Sequence, residues 1–164
     1  KIAQYCKSEL ETYAGVTVYM TRNDNTSPNT DREQRAKFAA EKGANVLVSI
    51  HINSYGKGYT SAHGAEVYYP NSNYNSTVSG QGQNLSAVIL KQLTALGLAD
   101  RGIKIKNSKD GETYPDGSLA DYLGINKYAK LYGYPGILIE HAYANNVSDA
   151  ANYCLLYTSP SPRD

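Results

Sequence analysis

The sequence predicts an α/β domain built on a mixed, mostly parallel sheet flanked by helices. Two observations carry this. Segments with helical periodicity alternate with strand-like segments along the chain. Two of the strand-like segments, residues 45–50 and 135–139, are nearly continuous apolar runs, the pattern of strands covered on both faces. No internal repeat or linker divides the 164 residues, a length suited to one domain.

Ile2, Cys6, Leu10 and Tyr13 recur at steps of three and four, which predicts an amphipathic helix closing near Gly15, with Cys6 as a small buried hydrophobe. No capping residue precedes Ile2, so this helix is expected to begin upstream of Lys1. The β-branched run 16–21 predicts a strand, followed by Arg22 and a polar loop. Thr30-Asp-Arg-Glu33 has the form of a capping box and Gly43 that of a C-terminal stop, so residues 30–43 predict a second helix. The apolar strand 45–50 then ends in His51, and the alternating segment 64–69 stops at Pro70, as a strand toward an edge does. An Asn/Ser/Tyr/Gly loop is expected over 71–84, then a third helix carried by Leu85, Val88, Ile89, Leu93 and Leu96 and ended by Gly97. Residues 101–106 read as a short edge strand, 107–117 as a loop, and 119–131 as one or two helices bent around Gly124. The second apolar strand ends in Glu140.

Composition limits the classes of partner. The formal net charge is +1, the sequence pI is about 7.9 and the mean hydropathy is -0.51. No apolar run is long enough for a transmembrane helix, and near-neutral charge offers no footprint for nucleic acid or an anionic membrane. A monomer is the default expectation. The last eleven residues, 154–164, resemble the translation of a sequencing adapter, so the domain is expected to comprise residues 1–153 with a non-native tail after it. Without that tail the charge stays +1 and Cys6 stands alone, so no disulfide is implied.

The two apolar strands each deliver one ionisable residue at the carboxyl end, His51 and Glu140, the edge where open α/β sheets place ligands. A carboxylate leaving a hydrophobic strand is costly unless exposed or paired. Either residue alone has an ordinary structural reading; the pair at equivalent ends suggests a site. A catalytic zinc needs three protein ligands, and only His51 is well placed. His63 lies in a Gly/Ser/Tyr loop suited to solvent, and His141 follows Glu140, so strand alternation points the two apart. Ser49 and Ser54 flank His51 without the glycine elbow of a serine nucleophile, and the glycines near residue 80 lack the lysine of a phosphate loop.

Several segments in order resemble the zinc-dependent N-acetylmuramoyl-L-alanine amidases of the amidase_3 type. They are Val18-Tyr-Met-Thr-Arg22 with Asp24, Arg35, Ala44-Asn-Val-Leu-Val-Ser-Ile-His-Ile-Asn53, Gly64-Ala-Glu-Val-Tyr-Tyr69, Arg101-Gly-Ile-Lys104 and Gly136-Ile-Leu-Ile-Glu-His-Ala-Tyr-Ala-Asn-Asn146. The resemblance implies a peptidoglycan hydrolase that cleaves the amide between N-acetylmuramic acid and L-alanine of the stem peptide. It implies one zinc ion with His51 as a ligand and two further ligands upstream of Lys1, together with the first strand of the fold. It implies Glu140 as catalytic base, and an extracellular or cell-wall location that follows from the substrate. Arg22 and Arg35 are expected to hold loops, and the loop at 71–84 to be solvated rather than to line a glycopeptide groove. A chain with one zinc ligand is expected to hydrolyse poorly by itself. The alternatives are a non-catalytic wall-binding relative and another zinc amidohydrolase or peptidase.

Overall fold

The computed structural model describes residues 2–24 and 30–154. The elements are α1 Ile2–Leu10, α2 Arg32–Glu41, β1 Leu47–Asn53, β2 Ala65–Tyr68, α3 Ser76–Ala95, β3 Asp100–Lys104, α4 Gly124–Leu131, β4 Gly136–Tyr143 and α5 Val147–Asp149, followed by a π-helical stretch Ala150–Cys154. The adapter-like tail lies outside the described residues apart from its first position.

The four strands order as β1-β4-β2-β3. β1 with β4 and β2 with β3 are parallel, while β2 with β4 is antiparallel, so the sheet is mixed as expected. Helices cover both faces. On one, α2 and α4 pack Ala36, Ala39, Ile125 and Ala129 against Leu47 and Tyr134. On the other, Leu90 of α3 and the following Leu98 pack against Ala65, Val67 and Ile137. Gly136 permits the α4 contact: a Cβ there would sit 2.2 Å from the Ile125 carbonyl oxygen.

The start of α2 is one residue later than the capping box suggested. Asp31, not Thr30, is the N-cap, its carboxylate accepting from Gln34 N at 2.8 Å. Gly43, at φ +65°, closes the helix with bonds from Gly43 N to Ala40 O and from Ala44 N to Ala39 O.

Several expectations are corrected. Residues 16–21 form no strand, because a β-branched run becomes one only where a ladder partner is present. Cys6 is exposed, and α1 buries none of its residues, so its apolar stripe packs no core. β1 is not covered on both faces; it is an edge strand with Val48 and Ile52 exposed. β2, expected toward an edge, lies between β4 and β3. Residues 76–84, expected as loop, form the first half of α3. Asn75 caps it by accepting from Val78 N, Ser79 Oγ donates to Pro70 O at 2.8 Å, and Gly82 leaves room for Pro70. Tertiary packing there outweighs the low helix propensity of Gly80 and Gly82. Only Gly124–Leu131 of the 119–131 segment is helical.

Candidate active site

His51 and Glu140 are direct partners in the parallel β1/β4 ladder, and Glu66 is the antiparallel partner of Glu140 on the other side. Residues opposite one another in a ladder share a face. The result is a row of His51, Glu140 and Glu66 across three strands, above the region where α2 and α4 pack. Neither His51 nor Glu140 terminates its strand, as the sequence suggested; β1 runs on to Asn53 and β4 to Tyr143.

His51 Nδ1 lies 3.9 Å from Glu140 Oε1, beyond hydrogen-bond range, with the histidine side chain 50% exposed and the glutamate 16%. Burial, then the charges of Arg35 and Arg32, holds the imidazole below its usual pKa, favouring the neutral ring. Ser49 Oγ is 3.0 Å from His51 Nε2. With the ring proton on Nε2 donated to that hydroxyl, Nδ1 keeps its lone pair on the Glu140 side. Ser49 escaped the sequence reading as a partner of His51, although their spacing of two on a strand places both on one face.

Glu140 is pushed up to about 7, first by burial and then by the neighbouring Glu66 charge. Its Oε2 is buried and has no hydrogen-bond partner among the described residues. A buried carboxyl with an unused acceptor and a pKa near neutrality is suited to take and return a proton.

Glu66 is buried as well, but its oxygens are bonded and its carboxyl is shifted the other way. Its Oε1 accepts from Tyr68 OH at 2.9 Å and Asn53 Nδ2 at 3.2 Å, and its Oε2 from Arg101 Nε at 3.1 Å and from Lys104 Nζ. Burial alone would raise this carboxyl, but the bonds from Lys104, Tyr68 and Arg101 outweigh it and hold Glu66 below the usual range. Sequence reasoning missed this residue. A charge in the middle of the apolar-alternating segment Gly64-Ala-Glu-Val-Tyr was the available signal.

The other candidates separate. His141 points away from Glu140, as alternation predicted, with Nδ1 2.7 Å from the His51 carbonyl oxygen. His63 is exposed and contacts Ser61 O. Arg22 Nε and Arg35 Nε donate to the carbonyls of Asp24 and Thr30, in keeping with the loop-holding role expected of them. Among the described residues no group of three or more His, Cys, Asp or Glu side chains is placed to hold a metal ion.

Fold and site together define an α/β domain in which a histidine and a glutamate face each other on two parallel-paired strands. The chain belongs to the amidase_3 family, described as N-acetylmuramoyl-L-alanine amidase, which it matches over residues 1–154. Among solved structures it is similar to the catalytic domain of CwlV, an N-acetylmuramoyl-L-alanine amidase from Bacillus (Paenibacillus) polymyxa var. colistinus. That match has 28% identity and a TM-score of 0.66, covering 92% of this chain and 68% of that one. It is also similar to Cwp6 from Clostridium difficile, with 28% identity and a TM-score of 0.63 over 84% of this chain, which spans only 19% of that protein. An N-acetylmuramoyl-L-alanine amidase from Clostridium difficile 630 shares the fold at 24% identity and a TM-score of 0.67, covering 92% of this chain and 67% of that one. No curated protein matches the chain.

Proposed function

We propose that this chain is the catalytic part of a zinc-dependent peptidoglycan hydrolase that cleaves the amide between N-acetylmuramic acid and L-alanine of the stem peptide, with residues 1–153 as the domain. The observation that carries the reading is the Glu140 carboxyl, one of whose oxygens is buried and unpartnered among the described residues, 3.9 Å from His51. Family membership supports the same chemistry and the cell wall as the place of action. Peptidoglycan is the partner, and the domain acts as a monomer.

The donor chemistry at His51 fits zinc. A neutral imidazole is an ordinary zinc ligand, and a ring whose other nitrogen is held by an oxygen, as Ser49 Oγ holds Nε2, is the usual arrangement. His51 supplies one ligand; we place the others outside the described residues. When bound, the ion lowers the pKa of a coordinated water and polarises the scissile carbonyl. Glu140 takes the proton of the attacking water on its free oxygen and returns it to the departing L-alanine nitrogen. Glu66, held charged by Lys104 and Arg101, does not share that proton. A non-catalytic wall-binding role leaves a buried, unsatisfied carboxylate at this position without a use.

The test uses the protein that carries this chain, purified with stoichiometric zinc and assayed by the release of new L-alanine amino termini from peptidoglycan. Glu140→Gln is expected to keep its zinc and lose about 10²- to 10⁴-fold in turnover. His51→Ala is expected to lose the metal. Undiminished turnover in Glu140→Gln sinks the assignment of the base, and loss of zinc in that variant moves Glu140 into the ligand set.

A further inference from the structure

The segment after β1, residues 54–63, carries the two most exposed large hydrophobic side chains of the described residues, Tyr59 at 87% and Tyr55 at 72%. Neither ring is buried to stabilise the fold, yet the backbone beneath them is firmly held. Asn145 Oδ1 accepts from Tyr55 N at 3.2 Å, and Asn145 Nδ2 donates to Tyr55 O at 2.8 Å and to Gly58 O at 2.7 Å. Thr60 N donates to Asn145 O at 3.0 Å, and Asn146 Nδ2 donates to Thr60 O at 3.0 Å. Gly56 and Gly58, at φ +67° and +85°, supply the left-handed turns that bring the segment back onto these groups.

Position makes this arrangement informative. Tyr55 follows His51 by four residues and Asn145 follows Glu140 by five, so the segment is stapled across the ends of the two strands that hold the acid/base pair. Two exposed aromatic rings four residues apart, on a backbone held beside a site, are suited to recognition. Apart from Lys57 the segment has no acidic or permanently basic side chain, being otherwise Ser, Tyr, Gly, Thr, Ala and His. That chemistry suits an uncharged, hydroxyl-rich ligand with flat apolar faces better than it suits a peptide bearing carboxylates. Tyrosine offers a rigid, amphipathic contact at low conformational cost. On the far side of Glu140, toward β3, the groups are instead charged, with Arg101 and Lys104 paired to Glu66.

We infer that Tyr55 and Tyr59 form an aromatic platform for the pyranose rings of the glycan strand, held beside the scissile amide by Asn145. The inference rests on the peptidoglycan reading and extends it by assigning the sugar side of the substrate to this segment. Asn145 acts as a positioning residue, since its contacts are with the segment backbone.

The test is a nuclear magnetic resonance titration of the full chain with two separate probes, an uncharged oligosaccharide of N-acetylglucosamine and the free stem peptide, with binding to intact peptidoglycan measured alongside. Tyr55→Ala/Tyr59→Ala is expected to weaken oligosaccharide binding about tenfold and leave stem-peptide binding unchanged. Asn145→Ala, with both rings intact, is expected to weaken the oligosaccharide alone, and Tyr55→Phe/Tyr59→Phe to retain it because the ring faces remain. Unchanged oligosaccharide affinity in the double alanine variant overturns the platform, as does a parent chain that binds stem peptide or intact peptidoglycan but not the oligosaccharide. Equal losses for both probes also overturn it, whether from a shared surface or a disturbed fold. A parent chain that binds none of the three fails the peptidoglycan reading itself.

Discussion

Among the described residues, the clusters around Lys130 and around Glu140 differ in how fully their bonds are made. Around Lys130, which is completely buried, all three ammonium protons are used. They go to Asp121 Oδ2 at 2.9 Å, Asn71 O at 3.0 Å and Asn71 Oδ1 at 2.7 Å. Asp121 in turn accepts from Asn71 N at 2.8 Å and Tyr114 OH at 2.6 Å, and the Lys130 ammonium lies 4.2 Å from the centre of the Tyr114 ring. Around Glu140 one buried carboxylate oxygen has no such partner, and the imidazole stands 3.9 Å away. A charge buried with every bond made holds a fold together, here joining α4 to the segments around residues 71 and 114–121. A charge buried with a bond left open costs stability and is available to a ligand or a proton.

Four measurements bear on that contrast. Lys130→Ala removes one partner from a buried ion pair and leaves Asp121 uncompensated, so it is expected to cost about 3–5 kcal/mol in chemical denaturation. A cost under about 1 kcal/mol would place the saturated cluster among ordinary surface pairs. Glu66→Gln comes next, at about 1–3 kcal/mol at neutral pH, because Lys104 and Arg101 lose their charged acceptor. The folded state holds the Glu66 carboxyl below its ordinary value of 4.5. The stability it contributes is therefore complete above that value and lost as pH falls from there through the lowered folded value. Parent and Glu66→Gln should converge in acid, and a gap that stays constant down the titration would remove the charge from the account.

Tyr114→Phe is a smaller perturbation. It deletes one donor to Asp121, which keeps its bonds from Lys130 and Asn71, so about 1 kcal/mol is expected from the thermal midpoint shift. The smallest effect falls on the residue proposed as the base. Glu140→Gln keeps the shape and removes a buried charge whose free oxygen supports nothing, so its denaturation midpoint should equal or exceed that of the parent. If it destabilises as Lys130→Ala does, Glu140 is a structural carboxylate and the contrast collapses.

The legible parts of the fold were those with local signals. The apolar runs leading to His51 and Glu140 announced β1 and β4, and Asp31 and Gly43 bound α2 within a residue or two of the expected limits. The Val16–Thr21 run carried the same β-branched signal as a strand and is not one, because pairing is a property of two segments and the run informs on only one. The first half of α3 was hidden for the opposite reason. Its Gly80 and Gly82 argue locally for loop, while the approach of Pro70 that favours helix lies outside any window along the chain.

The same division runs through the site. The sequence by itself singled out a histidine and a glutamate at the ends of two apolar runs, and gave no role to the tyrosine and glycine segment behind the first or to the asparagines behind the second. Only the tertiary structure decided that His51 and Glu140 are ladder partners, that Glu66 is the third member of their row, and that Asn145 staples the tyrosine segment to β4. The reason is physical. Residue type and periodicity follow from the chain, whereas strand order and register are set by which faces bury best against α2, α3 and α4, and a shift of one residue in either strand would turn these side chains to the opposite face.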